Sequence, residues 1–399
     1  MGRLKTLDEW LNYQEKLHNK TIDLGLERIE KVYKKLFPNG VPFTVITIAG
    51  TNGKGSTIAF VDSIYQQSKF KVGKFTSPHI TNYNERFTIN GKQANDSKIC
   101  TAFEKIESIR GGISLTYFEF STLAALLIFT QNNVDVAILE VGLGGRLDSV
   151  NVVDNNISVI TNIDIDHTDY LGNTRELIGA EKAGIMRKNI VCICADSNPP
   201  KSITTHANNV GAILEFVTDP YTKDIGLKGE HQQYNAATAI EVVEKLSKTL
   251  PVDSKQIANG VKSAKLNGRF QVQNINNKTV ILDVAHNEAA VGVLATELAK
   301  SKQPTIAIFS VLEDKSIKLM IKKISPVIDK WLLVQLDDDR AINVNTLSEK
   351  FDLKDNISIA NNINSAIFTS LNSKQYQRIV VFGSFHTVAG ATKALNTVV

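Results

Sequence analysis

Over the first half of the chain, apolar residues fall in short, nearly continuous runs rich in valine and isoleucine, at 43–49, 71–75, 134–141, 157–163 and 190–195. Runs of that length without polar alternation predict strands buried on both faces, as in a mostly parallel sheet. Between them, helical patterns occupy 56–67, 97–109, 118–130 and 174–186. The alternation restarts after Phe270, with strand-like runs at 280–284, 305–309, 331–335 and 379–382 and helical patterns at 287–300, 317–324 and 364–371. Such regular alternation predicts an α/β protein.

At 399 residues the chain exceeds the roughly 100–200 residues that one domain usually holds. We therefore expect two domains. A phosphate-loop-containing, mostly parallel sheet domain occupies 1–268, and a smaller Rossmann-like α/β domain occupies 269–399. The segment Lys265–Phe270 is the expected linker.

Composition narrows the function classes. Hydrophobic residues at 43% and charged residues at 22% exclude a disordered or fibrous chain. A net charge of +4, without a dense basic run, argues against nucleic acid as a partner. The longest apolar stretches, such as 122–129, fall short of the roughly 18–20 residues that cross a bilayer. Residues 1–10 lack the apolar core of a signal peptide, so a cytoplasmic protein without a membrane partner is expected; a monomer is the expected form. Cys192 and Cys194, two apart in one strand, and Cys100 are expected as free thiols.

The first chemical signal is Gly50-Thr51-Asn52-Gly53-Lys54-Gly55-Ser56-Thr57, which joins the strand at 43–49 to a helix. A glycine-rich turn at a helix N-terminus offers free N–H groups and a positive dipole end to a triphosphate, and Lys54 is placed to reach the outer phosphates. The loop departs from G-x-x-x-x-G-K-[ST] twice: Ile48 replaces the first glycine, and Gly55 stands where the hydroxyl belongs. Three polar residues, Ser77, Glu140 and His167, lie at or beyond the ends of predicted strands, the edge at which open α/β sheets bind ligands. Lys182, beside Glu181 on a helical stretch, reads first as half of a solvated surface pair.

The G-T-N-G-K-G-[ST] loop resembles that of the Mur ligase superfamily, and motifs across nearly the whole chain resemble its folylpolyglutamate synthase/dihydrofolate synthase branch in the family's order. They include T-I-D-L-G-L-E-R at 21–28, T-S-P-H at 76–79, L-T-Y-F-E at 115–119, L-E-V-G-L-G-G-R-L-D at 139–148 and D-H-T-D-Y-L-G at 166–172. E-K-A-G-I at 181–185, G-R-F at 268–270, D-V-A-H-N at 283–287 and G-S-F-H at 383–386 complete the set.

The resemblance implies an ATP-dependent ligase that activates a carboxylate as an acyl phosphate and joins it to L-glutamate. Its implied acceptors are dihydropteroate and the folates dihydrofolate and tetrahydrofolate. It implies ATP contacts from Thr51, Asn52, Gly53, Lys54, Gly55, Ser56 and Asn235, and, from the second domain, Arg269 and Asp283, with His286 near the phosphates. Ser77, Glu140, His167 and a carbamate on Lys182 are implied ligands of two Mg²⁺ ions, for which Mn²⁺ is a substitute. Lys54, Lys182 and His286 are the implied catalytic residues. The pterin site is implied at Asp23, Leu24, Gly25, Leu26, Thr116, Tyr117, Phe118, Glu119, Leu147, Asp148 and Ser149, where Tyr117 and Phe118 offer a stacking surface. The alternatives are a Mur-type amide ligase with another acceptor and a switch that binds ATP without ligation.

Overall fold

The computed structural model describes residues 5–352 and 356–398. The chain divides into two compact units: Met1–His79, Tyr83–Gly226 and Gln232–Lys265 form the first, and Ile80–Asn82, Leu227–His231 and Leu266–Val399 the second.

The first unit is built on eight strands: β1 (Thr44–Ala49), β2 (Val72–Phe75), β3 (Phe87–Ile89), β4 (Lys92–Gln93), β5 (Val136–Glu140), β6 (Ile157–Ile160), β7 (Val191–Cys194) and β8 (Ile213–Phe216). They lie in the order β4-β3-β2-β5-β1-β6-β7-β8. All neighbours are parallel except β2–β3 and β3–β4, which are antiparallel. The apolar runs sit in the middle because helices cover both faces: β1 and β5 are buried almost throughout. Helix Tyr117–Gln131, apolar on nearly every side, lies within the core with Phe120 to Phe129 sealed from solvent.

The second unit has six strands: β9 (Gln271–Ile275), β10 (Lys278–Leu282), β11 (Thr305–Phe309), β12 (Lys330–Val334), β13 (Ile357–Ala360) and β14 (Arg378–Phe382), in the order β13-β12-β11-β14-β10-β9. Only β9 runs antiparallel to its neighbour. One apolar cluster packs each face of this sheet, centred on Phe309, Trp331 and Phe382 on one side and on Ile308, Val381 and Leu395 on the other.

The α/β class and the predicted central strands are present. The apolar pattern missed the hairpin β3–β4, the edge strands β8, β9 and β13, the N-terminal helices Leu7–Leu17 and Glu27–Leu36, and the helices Lys201–Val210, His231–Lys245 and Phe385–Val398. An edge strand leaves alternate residues in water, as in the half-exposed β9, so it carries no continuous apolar run. The three cysteines are free, with Cys192 and Cys194 buried.

Helix Ser254–Ser263 packs closely on helix Lys54–Gln67, where a β-carbon on Gly260 would stand 2.4 Å from Ile64 Cα. Gly260→Ala is therefore expected to destabilise the first unit by about 1–3 kcal/mol through overpacking. Gly292, in helix Glu288–Ala299, has nothing within 4 Å of that position, so Gly292→Ala is expected to stabilise by about 0.5–1 kcal/mol through helix propensity. Thermal unfolding of both variants checks the pair; a stable Gly260→Ala would show that the two helices have room to separate.

Candidate active site

The phosphate loop leaves β1 at Ala49 and enters helix Lys54–Gln67 at Lys54. Its shape is imposed by β6, the strand beside β1. Asn162, just beyond β6, accepts the Asn52 N–H on Oδ1 at 2.6 Å and the Thr51 N–H on its carbonyl at 2.8 Å. Thr161 Oγ1 donates to the Asn52 carbonyl at 2.5 Å, and Thr51 Oγ1 accepts from Asp164 N–H at 3.0 Å. These bonds hold the loop so close to β6 that a β-carbon on Gly50 would lie 1.8 Å from Thr161 Oγ1. Gly53 takes a left-handed conformation, φ 86°, favoured by glycine. A β-carbon there would stand 2.8 Å from Asn235 Oδ1, so the structure brings Asn235 against the loop. Lys54 folds back, its Nζ donating to the carbonyls of Gly50 at 3.0 Å and Thr51 at 3.3 Å. Gly55 and Ser56 occupy the first helical turn.

Glu140 ends β5, in register with Ile48 of β1. It is buried, and its Oε2 accepts the Ser77 N–H at 3.0 Å. Ser77 thus meets Glu140, as expected of residues at adjacent strand ends. Ser77–Pro78 is a cis peptide. His167, left-handed at φ 52°, precedes the short helix Thr168–Leu171, and its N–H is held by Asp166 Oδ1.

Lys182 corrects the surface-pair reading. It is only 4% exposed, and Glu181 pairs instead with Arg146 at 2.8 Å. The helix Arg175–Ala183 turns Lys182 inward, where burial and then the repulsion of the Lys54 charge lower its pKa to about 7, against the pull of Asp166 and Asp148. Burial likewise raises Asp148 to about 6, opposed by the N–H groups of Leu143, Val150 and Gly142 and by Lys54. Lys54, Lys182, Asp148 and Asp166 therefore share one electrostatic neighbourhood beside the loop.

The three segments expected at the pterin site also meet. Gly25 N–H donates to the Leu147 carbonyl at 3.3 Å. Arg28 pairs with Asp23 at 2.6 Å and with Glu119 at 3.4 Å, and Ser149 Oγ lies 2.6 Å from Thr122 Oγ1. Several of these residues have structural duties. Thr116 and Glu119 form the capping box of helix Tyr117–Gln131, and Asp148 caps the turn Ser149–Val152 while accepting from Leu143 N–H. Leu24 and Leu26 flank Gly25 in the same segment. Phe118 stacks on Phe75, centroids 5.7 Å apart, and stays half-buried, as does Tyr117.

In the second unit, both oxygens of Asp283 accept backbone N–H groups, from Phe270 and Ala285, each at 2.8 Å. Burial raises its pKa, while Arg269 and these N–H groups oppose the shift. Arg269 lies over the Phe385 ring at 5.4 Å, and His286 Nδ1 is 2.8 Å from the Val284 carbonyl.

Motif reading gave no role to Thr161, Asn162 and Asp164, which shape the loop, or to Arg28, which closes the 21–28 motif and joins Asp23 to Glu119. The loop-shaping residues follow an apolar run as ordinary polar residues; the signal for them is that β6 neighbours β1, a fact of sheet order.

Among the described residues, no cluster of three or more His, Cys, Asp and Glu side chains forms a ready metal cage. Mg²⁺ characteristically takes one or two protein carboxylates and fills its shell with water and phosphate oxygens. The buried Glu140 beside the Ser77 turn fits that mode.

Residues 48–282 match the Mur ligase middle domain, and residues 268–385 match the Mur ligase glutamate ligase domain. The chain is 39% identical to the dihydrofolate synthase/folylpolyglutamate synthase of Escherichia coli over 98% of its own length and 96% of the relative's. Its fold is similar to E. coli FolC in complex with DHPP and ADP, with a TM-score of 0.91 and 37% identity over 99% of both chains. It is also similar to a bifunctional folylpolyglutamate synthase/dihydrofolate synthase with Mn, AMPPNP and L-glutamate bound, with a TM-score of 0.89 and 35% identity over 99% of both.

Because Asn162 shapes the loop without belonging to it, Asn162→Ala is expected to weaken ATP binding by about 1 kcal/mol, roughly 5-fold, the worth of a lost hydrogen bond. Calorimetric titration with ATP, with the melting temperature as control, checks this; unaltered affinity would show that the loop keeps its shape without Asn162.

Proposed function

The chain belongs to the Mur ligase family, in its dihydrofolate synthase/folylpolyglutamate synthase branch, and from that premise we infer that it uses ATP to join L-glutamate to dihydropteroate and, in a second reaction, to folates. The observation that carries the reading is the full-length match, which includes both Mur ligase domains. The meeting of 23–26, 119 and 147–149 in the first unit supports a pterin-bearing acceptor over another Mur-type substrate. Dihydropteroate, dihydrofolate and tetrahydrofolate are the acceptors we assign, and a cytoplasmic monomer is the form.

The chemistry follows from the weakness of a carboxylate as an electrophile. An acceptor carboxylate oxygen attacks the γ-phosphorus of ATP, ADP leaves, and an acyl phosphate results. The neutral amine of glutamate then attacks the acyl carbon; the C–O bond to phosphate breaks, and the amine gives up a proton. In our reading the N–H groups of 51–56, Lys54 and Asn235 hold the triphosphate in line for the first step. Divalent metal, when bound, neutralises the phosphate oxygens so that one anion can approach another. We assign Ser77, Glu140, His167 and the carbamate of Lys182 to hold it, with Arg269, Asp283 and His286 serving the nucleotide as the family motifs imply. Tyr117 and Phe118, with Asp23–Leu26, Thr116, Glu119 and Leu147–Ser149, take the pterin-bearing acceptor.

Carbamylation requires the neutral amine, which attacks the carbon of carbon dioxide and releases one proton. Burial and the nearby Lys54 charge supply the neutral form by lowering the Lys182 pKa to about 7.

In a matrix of dihydropteroate, dihydrofolate and tetrahydrofolate with ATP, Mg²⁺ and glutamate, ADP release is expected only when acceptor and glutamate are both present, with a glutamylated product by mass. Release without an acceptor would instead indicate a switch. At fixed dissolved carbon dioxide, the Lys182 carbamate is expected to form poorly where the amine is protonated and to rise as pH passes upward through about 7. Isotopically labelled carbon dioxide followed by NMR reads the carbamate directly. No labelled signal in the wild type, or an equal one in Lys182→Ala, would reject it.

A further inference from the structure

Arg86 stands out among the buried charges of the first unit. It is 9% exposed, and no described carboxylate makes an ion pair with it, whereas the comparably buried Arg110 is paired with Glu107 at 2.7 Å. Its Nε donates to His79 Nδ1 at 2.9 Å. Its guanidinium lies over the rings of Tyr83 and Tyr117, each at 5.5 Å. The two Nη nitrogens make no hydrogen bond within the described chain, yet neither is sealed from solvent. Two aromatic rings and an imidazole thus hold a cation in one orientation with its bidentate edge open. A buried charge without a counter-charge is costly, and a guanidinium edge matches a carboxylate by two parallel hydrogen bonds.

The position identifies the anion. Arg86 closes the short helical turn Tyr83–Arg86 and leads into β3, whose Phe87 pairs with Phe75 of β2. The Arg86 carbonyl accepts the Thr76 N–H at 3.1 Å, so Arg86 lies directly across from the turn that carries Ser77. It therefore shares the sheet edge with Ser77 and Glu140. The phosphate loop is three strands away, at β1, or about 14 Å at ordinary strand spacing. A phosphate on that loop therefore lies on the far side of Glu140 from Arg86, whereas an anion held near Ser77, away from the triphosphate, lies beside it.

We propose that Arg86 is the carboxylate receptor of the ligation site and binds a glutamate carboxylate by its Nη edge. This rests on the ligase reading above. Two sources share the chemistry: the incoming L-glutamate, and the glutamyl tail already on a folate. Tyr83, Tyr117 and His79 act as positioning residues that hold the guanidinium plane.

The test compares wild type with Arg86→Lys and Arg86→Gln, using dihydropteroate, which lacks a glutamyl tail, and tetrahydrofolate, which has one. KM is measured for glutamate and for each acceptor, and kcat alongside. If Arg86 takes the incoming amino acid, KM for glutamate rises about 10- to 100-fold with both acceptors while kcat changes little, as expected for loss of a charge-assisted bidentate contact. If it takes the tail, KM rises for tetrahydrofolate alone and the dihydropteroate reaction is spared. Unchanged KM values, or a fall in kcat alone with every acceptor, would overturn the proposal. Arg86→Lys keeps charge and stem, so it reports even where Arg86→Gln does not fold. A wild type that made no glutamylated product would defeat the ligase reading instead, a result separate from any behaviour of the variants.

Discussion

The parallel pairing of β1 with β6 is the constraint from which the first unit's chemistry follows. Ile48 and Ala49 lie in register with Val159 and Ile160, so the backbone of the phosphate loop emerges beside Thr161 and Asn162 and is hydrogen-bonded to both. That closeness leaves no room for a side chain at Gly50. It also leaves the next N–H groups at the start of a helix, where they and the helix dipole favour phosphate. The loop departs from the common phosphate-loop consensus at Ile48 because Ile48 is still in the sheet: it pairs with Glu140 on one side and Val159 on the other. The glycine-rich turn begins only where the strand ends.

Electrostatics in the same unit are set by two lysines in a poorly solvated space. Lys54 interacts with backbone carbonyls of its own loop, while Lys182, buried on a neighbouring helix, is weakened as a base by burial and by the Lys54 charge. A buried ammonium near a second cation is unfavourable, and this eases proton loss from Lys182, the more so because the nearby Asp148 is itself pushed toward the neutral form and tied to backbone N–H groups. The nucleotide and divalent metal of this family bring both signs of charge into that space. Pairing a displaced pKa with a charge-transfer step is how a fold runs such chemistry near neutral pH.

What could be read from the sequence divides along a physical line. Central strands announce themselves because both faces are buried, so β1, β5, β6 and β7 are continuous apolar runs. The glycines and Lys54 of the loop are equally legible, since backbone geometry demands those residue types at fixed spacing. Lys182 was singled out by the family resemblance and not by its own pattern: next to Glu181 it looks like half of a solvated pair, and only the packing of its helix turns it inward. Thr161 and Asn162 were illegible for a different reason. Their partners are some 110 residues earlier in sequence, and that neighbourhood exists only after β6 settles beside β1.

Sheet order does more than bring residues together; it ranks them along a line. At the carboxyl edge, β1 ends in the phosphate loop, β5 in Glu140, β2 at the turn that carries Ser77, and β3 begins beside Arg86. In the order β3-β2-β5-β1, Glu140 and the turn that carries Ser77 lie between the phosphate loop on one side and Arg86 on the other. Phosphoryl transfer needs its attacking and leaving oxygens in line, and the second step needs an amine to approach the activated carbon from elsewhere. Under the roles proposed for the loop and Arg86, strand ends arranged in a line would give each reactant its own end of the edge. The antiparallel hairpin β3–β4, invisible in the apolar pattern, then has a reason to be present: it extends the sheet by the strand that brings Arg86 to that edge.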